Sequence, residues 1–547
     1  MPEQQPAILH DSVLPKHLLL TREGDSDPGE MLCITLRLSP RDGDDALLAR
    51  TTALGHQPVA KRKHLSRTAL AGEIGPGRDA HDAIDAFCQQ RGFTVSRTAL
   101  GGLFVTIEGK ASDVGAAFGV TLGRYRSRDR TFRGYEGHIT LPVGLAPYVR
   151  AVLGLDNLSG LPAQPNAVAF SEPPSRKGNK PRVVAFDYYT YPQGLTGQGA
   201  TVAFIEQDLE VDVDEIQTYY QSQGVGPVNI ILAPQWGPPK RADETDNQPH
   251  QLNGEAMMDL ELTGAVAPGA TLIAYSLIQN YGYSSDQWID AMIAALENDV
   301  HPCNVMSISL GRPETDWSPQ MARSVNILFG IAGTIGVTVC VASGDFGAPG
   351  NIDGGGTKFQ NCAFPASSPY CLACGGTELV LTLGDPPALT GEVAWNEMVK
   401  IGDKAATGGG ISIYFPVPDF QQTLTLPKPL NEDQSPGRGM PDVAANAAQN
   451  SIYNCGYGTS AAAPMWAALI ALMVEKNEGL PIGYLNPRLY ELQLGGAHCC
   501  TPIVAGNNGP PGSSISFPAG EPWSACCGLG SPLGSNLMTA LGIGTPS

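Results

Sequence analysis

The sequence predicts an α/β protein in which a small α+β unit precedes a doubly wound parallel sheet. After residue 183, short β-branched apolar runs alternate with longer helical stretches, a pattern typical of parallel strands joined by helices. Before residue 156, strand-like runs and two helical stretches form a separate pattern. The chain has 547 residues, more than one hydrophobic core usually serves, so we expect two folding units.

The N-terminal unit is expected to combine short strands with two helices. Strand-like runs occur at 32–38, 103–107 and 120–125, and helical spacing occurs at 80–90 and 111–118. A basic patch near the last strand consists of Arg124, Arg126, Arg128, Arg130 and Arg133. Arginine-rich patches can bind nucleic acid, but we favour a solvated hairpin or a surface that faces the acidic body.

Residues 157–181 lose periodicity and accumulate proline, serine, glycine and lysine, which is typical of a linker. The segment from Ser175 to Lys180 is expected to be exposed and open to proteolysis. We therefore expect one domain at 1–156 and a second at 182–547.

The second domain is expected to contain buried parallel strands. The expected strands are 201–206, 228–232, 271–276, 305–309 and 338–342, and the expected helices are 213–223, 288–298 and 321–332. In sheets of this kind, sites lie beyond the carboxyl ends of the strands. Glu206 and Asp345 occupy such positions.

Charge is divided unevenly along the chain. Residues 1–182 contain 23 Lys+Arg and 19 Asp+Glu, a balance of +4, whereas residues 183–547 contain 11 and 34, a balance of -23. This division indicates either an electrostatic complex that protonation of carboxylates would loosen or simply two differently charged domains.

Cysteine content and the chain's N-terminus point in different directions about location. Twelve cysteines are many for a reducing cytosol, but no basic and apolar leader is recognisable. We expect a secreted protein, with no membrane span because no apolar stretch approaches ~20 residues. Cys371 and Cys374 resemble half of a metal or redox site, but their apolar setting favours buried structural thiols.

Ser460 is the candidate nucleophile. It follows Gly458 and Thr459 in a turn of small residues, and a long apolar segment, Met465 to Val474, comes next. This order predicts a hydroxyl at the start of a buried helix, where backbone N–H groups favour developing negative charge. An ordinary helix N-cap is the alternative interpretation.

Glu255 and Asp259 are candidate proton carriers. Their i,i+4 spacing places both carboxyl groups on one helical face, close enough to share a proton. Two carboxyls in a desolvated cleft cannot both ionise cheaply, and one can accept a serine proton in acid, where histidine is already protonated. A solvated acidic helix face is the alternative, although no Lys or Arg occurs between Arg241 and Arg312.

Asp345 closes the strand-end segment Ala342-Ser343-Gly344-Asp345. A protonated carboxyl group there could donate a hydrogen bond to a tetrahedral oxyanion. A turn or N-cap aspartate is the alternative.

Several motifs occur together in one order and resemble a known family. They are the Glu255-x-x-x-Asp259 helix followed by Ala265–Ala270, Ser307–Gly311, Ala342–Asp345, Phe364–Pro369, Gly408–Ser412, Arg438–Asp442 and Gly458–Ser460. In this respect the chain resembles the sedolisin family of serine-carboxyl peptidases, nearest the kumamolisin type, in precursor form. The similarity runs from about Leu32 to Pro546.

This resemblance implies a function and a role for each candidate residue. The fold would be a subtilisin-like α/β catalytic domain preceded by an inhibitory α+β, ferredoxin-like prodomain. The activity would be that of an acid-active endopeptidase made as a zymogen, acting on proteins or peptides. The implied roles are nucleophile for Ser460, general base for Glu255, orienting and proton-sharing group for Asp259, oxyanion donor for Asp345 and network extension for Glu206.

The chain departs from the family at two places. Leu310 stands where many members carry tryptophan, which predicts a weaker outer network. Pro502 and Ser524 stand where the family's calcium site uses aspartates, so we expect no calcium and no other cofactor. As a hypothesis, disulfides between the pairs Cys499-Cys500 and Cys526-Cys527 fasten this loop instead.

Two other functions stay open at this point. A histidine-dependent subtilase is one, although His250, His301 and His498 lack a His-Gly-Thr context. A catalytically silent peptide-binding protein on the same scaffold is the other. For the peptidase we expect a monomer that binds its own prodomain as an inhibitor and binds neither nucleic acid nor membranes.

Overall fold

The structure is a computed structural model. It describes residues 6–17, 21–127, 130–158, 164–165, 181–207, 209–233, 253–277, 287–350, 359–381, 389–399, 405–448 and 456–544. Most of the predicted linker, including its Ser175–Lys180 segment, lies outside the described residues, as do Arg128 and His250.

The N-terminal unit is an antiparallel sheet with the helices Arg78–Arg91 and Ala111–Phe118 on one face, while the helix Asp44–His56 packs toward the body. Its main elements are β1 (Met31–Leu38), α1 (Asp44–His56), α2 (Arg78–Arg91), β2 (Thr94–Ala99), β3 (Phe104–Lys110), α3 (Ala111–Phe118), β4 (Gly123–Ser127), β5 (Arg130–Gly134) and β6 (Val149–Leu153). The sheet order is β2-β3-β1-β6. Ile34 of β1, Ile84 of α2 and Val114 of α3 share one core. This is the α+β, ferredoxin-like arrangement that was predicted.

The body is built around a mostly parallel sheet. The first elements are β7 (Gln164–Pro165), β8 (Thr201–Glu206), α4 (Val213–Ser222), β9 (Asn229–Leu232), α5 (Gly254–Val266), β10 (Thr271–Ser276), α6 (Gln287–Glu297), β11 (Val305–Ile308), β12 (Leu310–Pro313), α7 (Pro319–Thr334) and β13 (Thr338–Ala342). The later elements are β14 (Leu372–Leu381), β15 (Leu389–Ala394), β16 (Val443–Asn446), α8 (Thr459–Lys476), α9 (Asn486–Leu494), β17 (Cys500–Thr501), β18 (Ser531–Pro532) and α10 (Gly534–Ala540).

The order of this sheet is β9-β10-β8-β11-β13-β14-β15, with β16 beside β14. Neighbouring strands are parallel except for β14 and β15. Successive residues of β8 point to opposite faces: Val202 and Phe204 join the core of α5 and α8, whereas Ala203 and Ile205 join that of α6 and α7. The sheet is therefore doubly wound, as predicted.

The N-terminal unit docks on the body by laying α1 along α7. Thr51 Oγ1 lies 2.8 Å from the Gly330 carbonyl and 2.9 Å from Thr334 Oγ1. A Cβ added at Gly330 would lie 2.7 Å from Leu48, and one added at Gly333 would lie 2.7 Å from Thr51. Glycines in α7 therefore allow the two helices to approach closely.

The predicted strands and helices that fall on described residues are confirmed, with shifts of a few residues at their ends. The strand expected from residue 120 begins at Gly123 because the chain first leaves α3 through the left-handed Gly119 (φ 68). The arginine patch is a β4–β5 hairpin, as favoured, and two of its cations bind acids of their own unit. These pairs are Arg126–Glu23 at 2.5 Å and Arg133–Glu30 at 2.6 Å.

The disulfide hypothesis is wrong, because Cys499, Cys500, Cys526 and Cys527 are all free thiols. The strand that carries Cys500 pairs with Ser531–Pro532, not with the second cysteine pair. The Cys527 thiol lies 3.7 Å from the neighbouring Cys526 sulfur instead. Cys371 and Cys374, by contrast, are buried at β14 as predicted.

No helix among the described residues is both long and apolar enough to span a membrane.

Candidate active site

The candidate residues converge beyond the carboxyl ends of β8, β11 and β13. Glu206 ends β8, and Asp345 lies three residues beyond the end of β13. The first turn of α5 brings Glu255, and the first turn of α8 brings Ser460. Glu206, Asp259, Asp345 and Ser460 are fully buried. The fold therefore collects at one edge of the sheet residues that are up to 254 positions apart in the chain.

Local sequence explains how α5 and α8 begin. The Asn253 side chain accepts hydrogen bonds from the amides of Glu255 and Ala256, so it caps α5 and fixes its first turn. Gly458 precedes α8 with a φ of 103°, a conformation that favours glycine. Ser460 thus stands at the N-terminus of a long buried helix, as predicted.

The Ser460 hydroxyl lies between a backbone carbonyl and Glu255. Its Oγ donates to the Ser309 carbonyl at 3.3 Å. Burial raises the pKa of Glu255 well above the usual value, and the Asp259 charge adds to this rise, while the Ser460 hydroxyl opposes it. Ser460 and Glu255 therefore interact, although neither carboxyl oxygen of Glu255 forms a hydrogen bond with a described residue and the Ser460 hydroxyl donates to the Ser309 carbonyl instead. Base-assisted attack requires this hydroxyl to turn from the carbonyl to Glu255.

Asp259 connects Glu255 to a deeper carboxyl group. Burial raises the pKa of Asp259 to about 7, and the hydrogen bond from Ser309 and the nearby Glu206 oppose this rise. Ser309 Oγ donates to Asp259 Oδ2 at 2.7 Å. Burial and the charges of Asp259 and Glu255 hold the pKa of Glu206 well above the usual value. Glu206, Asp259 and Glu255 therefore form one buried cluster in which the charge of each group influences the others, although the carboxyl oxygens of Glu206 and Glu255 form no hydrogen bond with a described residue.

Asp345 is oriented by Thr459. Its Oδ1 accepts from the Thr459 amide at 2.8 Å and from the Thr459 hydroxyl at 2.7 Å. Its Oδ2 is buried and has no hydrogen-bond partner among the described residues. Burial raises the pKa of Asp345 to about 8, and the two bonds from Thr459 oppose the rise. In acid, Asp345 therefore carries its proton on Oδ2, the oxygen that is free to donate.

Ser309 and Thr459 were not predicted as site residues. Both lie inside quoted motifs, Ser307–Gly311 and Gly458–Ser460, but the sequence does not reveal which hydroxyl meets which carboxyl. Of the body's histidines, His301 lies in the turn after α6 and His498 precedes β17, both away from the Ser460 contacts described above.

Linker residues lie next to this site. Gln164 and Pro165 of β7 pair antiparallel with Gly311 and Leu310 of β12, the strand that directly follows Ser309. A peptide strand at this position blocks the approach of another extended chain, because the same backbone groups would be needed to bind it.

The loop in which the family's calcium ligands were expected is fastened by amides and hydroxyls. Asn508 Oδ1 accepts from the Phe517 amide at 2.8 Å, and its Nδ2 donates to the Ala525 carbonyl at 3.2 Å. Ser524 Oγ accepts from the Cys527 amide at 3.1 Å. Pro502 has no side-chain oxygen, so the residues present do not fit a calcium ion, which needs several oxygen ligands with carboxylate charge.

Comparison with known proteins identifies the family. The model of the family described as "Pro-kumamolisin, activation domain" matches residues 20–158, and that of the subtilase family matches residues 244–488. Kumamolisin of Bacillus sp. (strain MN-32) is 34% identical over 531 residues, covering 94% of this chain and 92% of kumamolisin. Sedolisin of Pseudomonas sp. (strain 101) is 27% identical over 530 residues, covering 92% of this chain and 86% of sedolisin.

A solved structure shows the same relationship. Pseudomonas sedolisin, a serine-carboxyl proteinase complexed with two molecules of pseudo-iodotyrostatin, superimposes with a TM-score of 0.56 at 26% identity. The match covers 67% of this chain and 98% of that structure. The chain therefore belongs to the sedolisin family, as a kumamolisin-like serine-type peptidase that carries its own N-terminal activation domain.

Proposed function

We propose that this peptidase is an acid-active serine-carboxyl endopeptidase, and that Ser460, Glu255, Asp259 and Asp345 are its catalytic residues. The observation that carries the proposal is the burial of these four residues together beyond the carboxyl ends of the strands, where hydrogen bonds from Ser309 and Thr459 fix the carboxyl groups of Asp259 and Asp345. Its substrates are proteins or peptides, and it acts as a monomer without a cofactor.

The proposed reaction moves one proton along carboxyl groups. Ser460 Oγ attacks the peptide carbonyl while Glu255 accepts its proton, and Asp259 stabilises this transfer by sharing a proton with Glu255. The protonated Asp345 donates from Oδ2 to the oxyanion that forms. Glu255 then returns the proton to the leaving amine, and water repeats the sequence to release the acyl group.

The precursor holds these carboxyls in a neutral, inactive state. Burial is the largest cause of the raised pKa values of Glu255 and Asp259. When the linker strand leaves β12, water reaches the cleft, and burial then raises these pKa values less. Glu255 can then ionise at lower pH and serve as a base, whereas Asp345, with a pKa of about 8 in the closed form, stays protonated in acid.

The direct test is digestion of casein at pH 3–5 by acid-activated protein. We expect cleavage by the wild type, and none by Ser460→Ala prepared in the same way. A rate that peaks near neutrality would favour a histidine-dependent subtilase, and a folded wild type without activity would favour a silent binding protein.

Acidification is proposed to release the N-terminal domain, in part through His64. The His64 ring is wedged between two body glycines: a Cβ at Gly336 would lie 3.1 Å from the ring and one at Gly483 would lie 2.5 Å from it. Burial, followed by the Arg62 charge, lowers the pKa of His64 to about 4. Arg62 itself donates to the body carbonyls of Ile482 and Tyr484 and to the carbonyls of Gly55 and Gln57 in its own domain.

The sign of this effect favours release in acid. A released His64 regains an ordinary pKa near 6.5. Between this pH and about 4, the free domain therefore binds a proton at His64 that the docked domain does not bind. Docking therefore weakens as pH falls from about 6.5 to about 4, by up to about 300-fold from this group alone. The Arg97–Asp290 ion pair, at 3.3 Å, also crosses this interface.

We expect the Ser460→Ala precursor to undock its N-terminal domain between pH 6 and pH 3.5, without cleavage. Hydrogen exchange in α1, corrected for its intrinsic pH dependence, reports this opening. His64→Gln should shift the opening to lower pH, while His138→Gln, an exposed control whose ring contacts His10 of its own domain, should change it little. Full protection of α1 at pH 3–4 in the Ser460→Ala precursor would contradict acid release.

Chelation of divalent metal is expected to leave stability unchanged. Ser524 and Asn508 hold the C-terminal loop by hydrogen bonds alone, so EDTA should shift the melting temperature by less than about 1 °C. Thermal unfolding of the acid-activated enzyme with EDTA and with added calcium measures this. A clear rise of the melting temperature with calcium would show that the loop still binds the ion.

We propose domain limits of 1–156 for the inhibitory domain, 157–181 for the cleavable linker and 182–547 for the catalytic domain. The family match to the activation domain ends at residue 158, next to the first of these limits.

We also propose that the enzyme is secreted, because a general acid peptidase needs an acidic compartment or medium.

A further inference from the structure

Arg312 lies on the strand that borders the proposed catalytic centre. It is the third residue after Ser309, and three residues of extended chain span about 10 Å. Its side chain is buried, with 6% of its surface exposed. The guanidinium carbon lies 4.9 Å from the centroid of the Trp317 ring, so a cation–π contact within the body fixes its orientation.

In the precursor, Arg312 holds the end of the N-terminal domain. Its Nη1 donates to the Leu158 carbonyl at 2.9 Å. It also faces the half-buried Asp156: burial raises the pKa of that carboxyl, and the Leu158 amide and the charges of Arg133 and Arg312 oppose the rise. Asp156 and Leu158 leave with the N-terminal domain, whereas Trp317 stays with the body.

Arg312 lines two neighbouring pockets. One also contains Gly311, Asp345 and Phe346, and it belongs to the proposed catalytic centre. The other contains Asp156, Leu158 and Trp317, and it belongs to the docking site of the N-terminal domain. Departure of that domain therefore exposes an oriented cation at the edge of the cleft, at a position that an extended substrate can reach.

We propose that Arg312 is a specificity-determining residue, which binds the carboxylate of a substrate glutamate or aspartate in the place that Asp156 and the Leu158 carbonyl occupy in the precursor. This inference rests on the proposed peptidase function. A guanidinium suits this role because its donors match a carboxylate in a forked geometry. The acidic residue would lie about three positions from the scissile bond.

The test uses peptides of one sequence in which glutamate is moved through four positions on each side of the scissile bond. Each peptide is compared with its glutamine counterpart through kcat/KM of the acid-activated enzyme at pH 5.5. We expect the glutamate peptide to be preferred by about tenfold or more at one position. The preference should disappear at pH 3.0, where the glutamate side chain, with an ordinary pKa of about 4.3, is protonated.

Variants assign the preference to this cation. In Arg312→Gln the ratio of glutamate to glutamine cleavage should fall close to one, and Arg312→Lys should retain part of it. Arg323→Gln is the matched control, since Arg323 also pairs with a carboxylate of the N-terminal domain, Asp11, but lies on α7. Its ratio should equal that of the wild type.

The outcomes separate this inference from the proposed function. Equal cleavage of every peptide pair by the wild type, with activity that still depends on Ser460, overturns the role of Arg312 alone. A preference that survives in Arg312→Gln overturns it as well. Absence of any Ser460-dependent cleavage overturns both proposals. If Arg312→Gln fails to fold, the wild-type ratio and its loss at pH 3.0 still decide.

Discussion

Replacement of Glu255 by glutamine is expected to lower kcat by about 10³-fold or more. The amide has the same shape as the carboxyl group but cannot accept the Ser460 proton, and it also interrupts proton sharing with Asp259. Because Glu255 lies at the start of α5, where Asn253 caps the helix through backbone amides, the substitution leaves the cap in place. The measurement is steady-state hydrolysis of a peptide at pH 4, with thermal unfolding to verify folding.

Glu261→Gln is the matched control for this experiment. Glu261 is also buried on α5, but it lies two residues beyond Asp259 and hence about 200° around the helix from it. We expect its kcat to remain within about threefold of the wild type. Equal losses of kcat in the two variants would mean that activity requires a buried carboxyl group somewhere in α5. The position of Glu255 beside Ser460 would then have no special role.

Replacement of Asp345 by alanine is expected to lower kcat by about 10²–10³-fold, because it removes the proposed oxyanion donor. Asp345→Asn should keep most of the activity at pH 4. The two hydrogen bonds from Thr459 require an acceptor at Oδ1, so the asparagine amide group must take the place of Oδ2 and can still donate. A comparison of the two variants therefore separates loss of the donor from loss of the carboxyl group.

The pH dependence adds a second criterion. In the wild type, Asp345 loses its proton as pH rises through its pKa, about 8 in the closed form, and then cannot donate. Asparagine does not ionise in this range, so the ratio of Asp345→Asn to wild-type kcat should rise with pH. If Asp345→Asn is as inactive as alanine at pH 4, Asp345 does not act as a neutral hydrogen-bond donor.

The strands and the proposed proton carriers were predictable because they depend on short-range patterns. A run such as 201–206 is apolar from Val202 to Ile205, which indicates a strand buried on both faces, and it appears in the structure as Thr201–Glu206. The spacing of Glu255 and Asp259 likewise places them on one helical face wherever that helix packs. The helix at 44–56 was not predicted, because its buried face mixes Leu47 and Leu54 with the polar Thr51 and the small Gly55, which interrupt the apolar pattern.

By itself, the sequence determined the fold class, the family resemblance and the identity of the residues proposed for catalysis. All of these depend on local patterns and on the order of those patterns along the chain. Tertiary structure alone decided the pairings: that Ser309 bonds to Asp259, that Thr459 orients Asp345, that His64 is buried beside Arg62 and that four C-terminal cysteines stay free. The reason is physical. Burial and contact between segments that are far apart in the chain set both the partners and the pKa values of polar groups, and no local pattern records them.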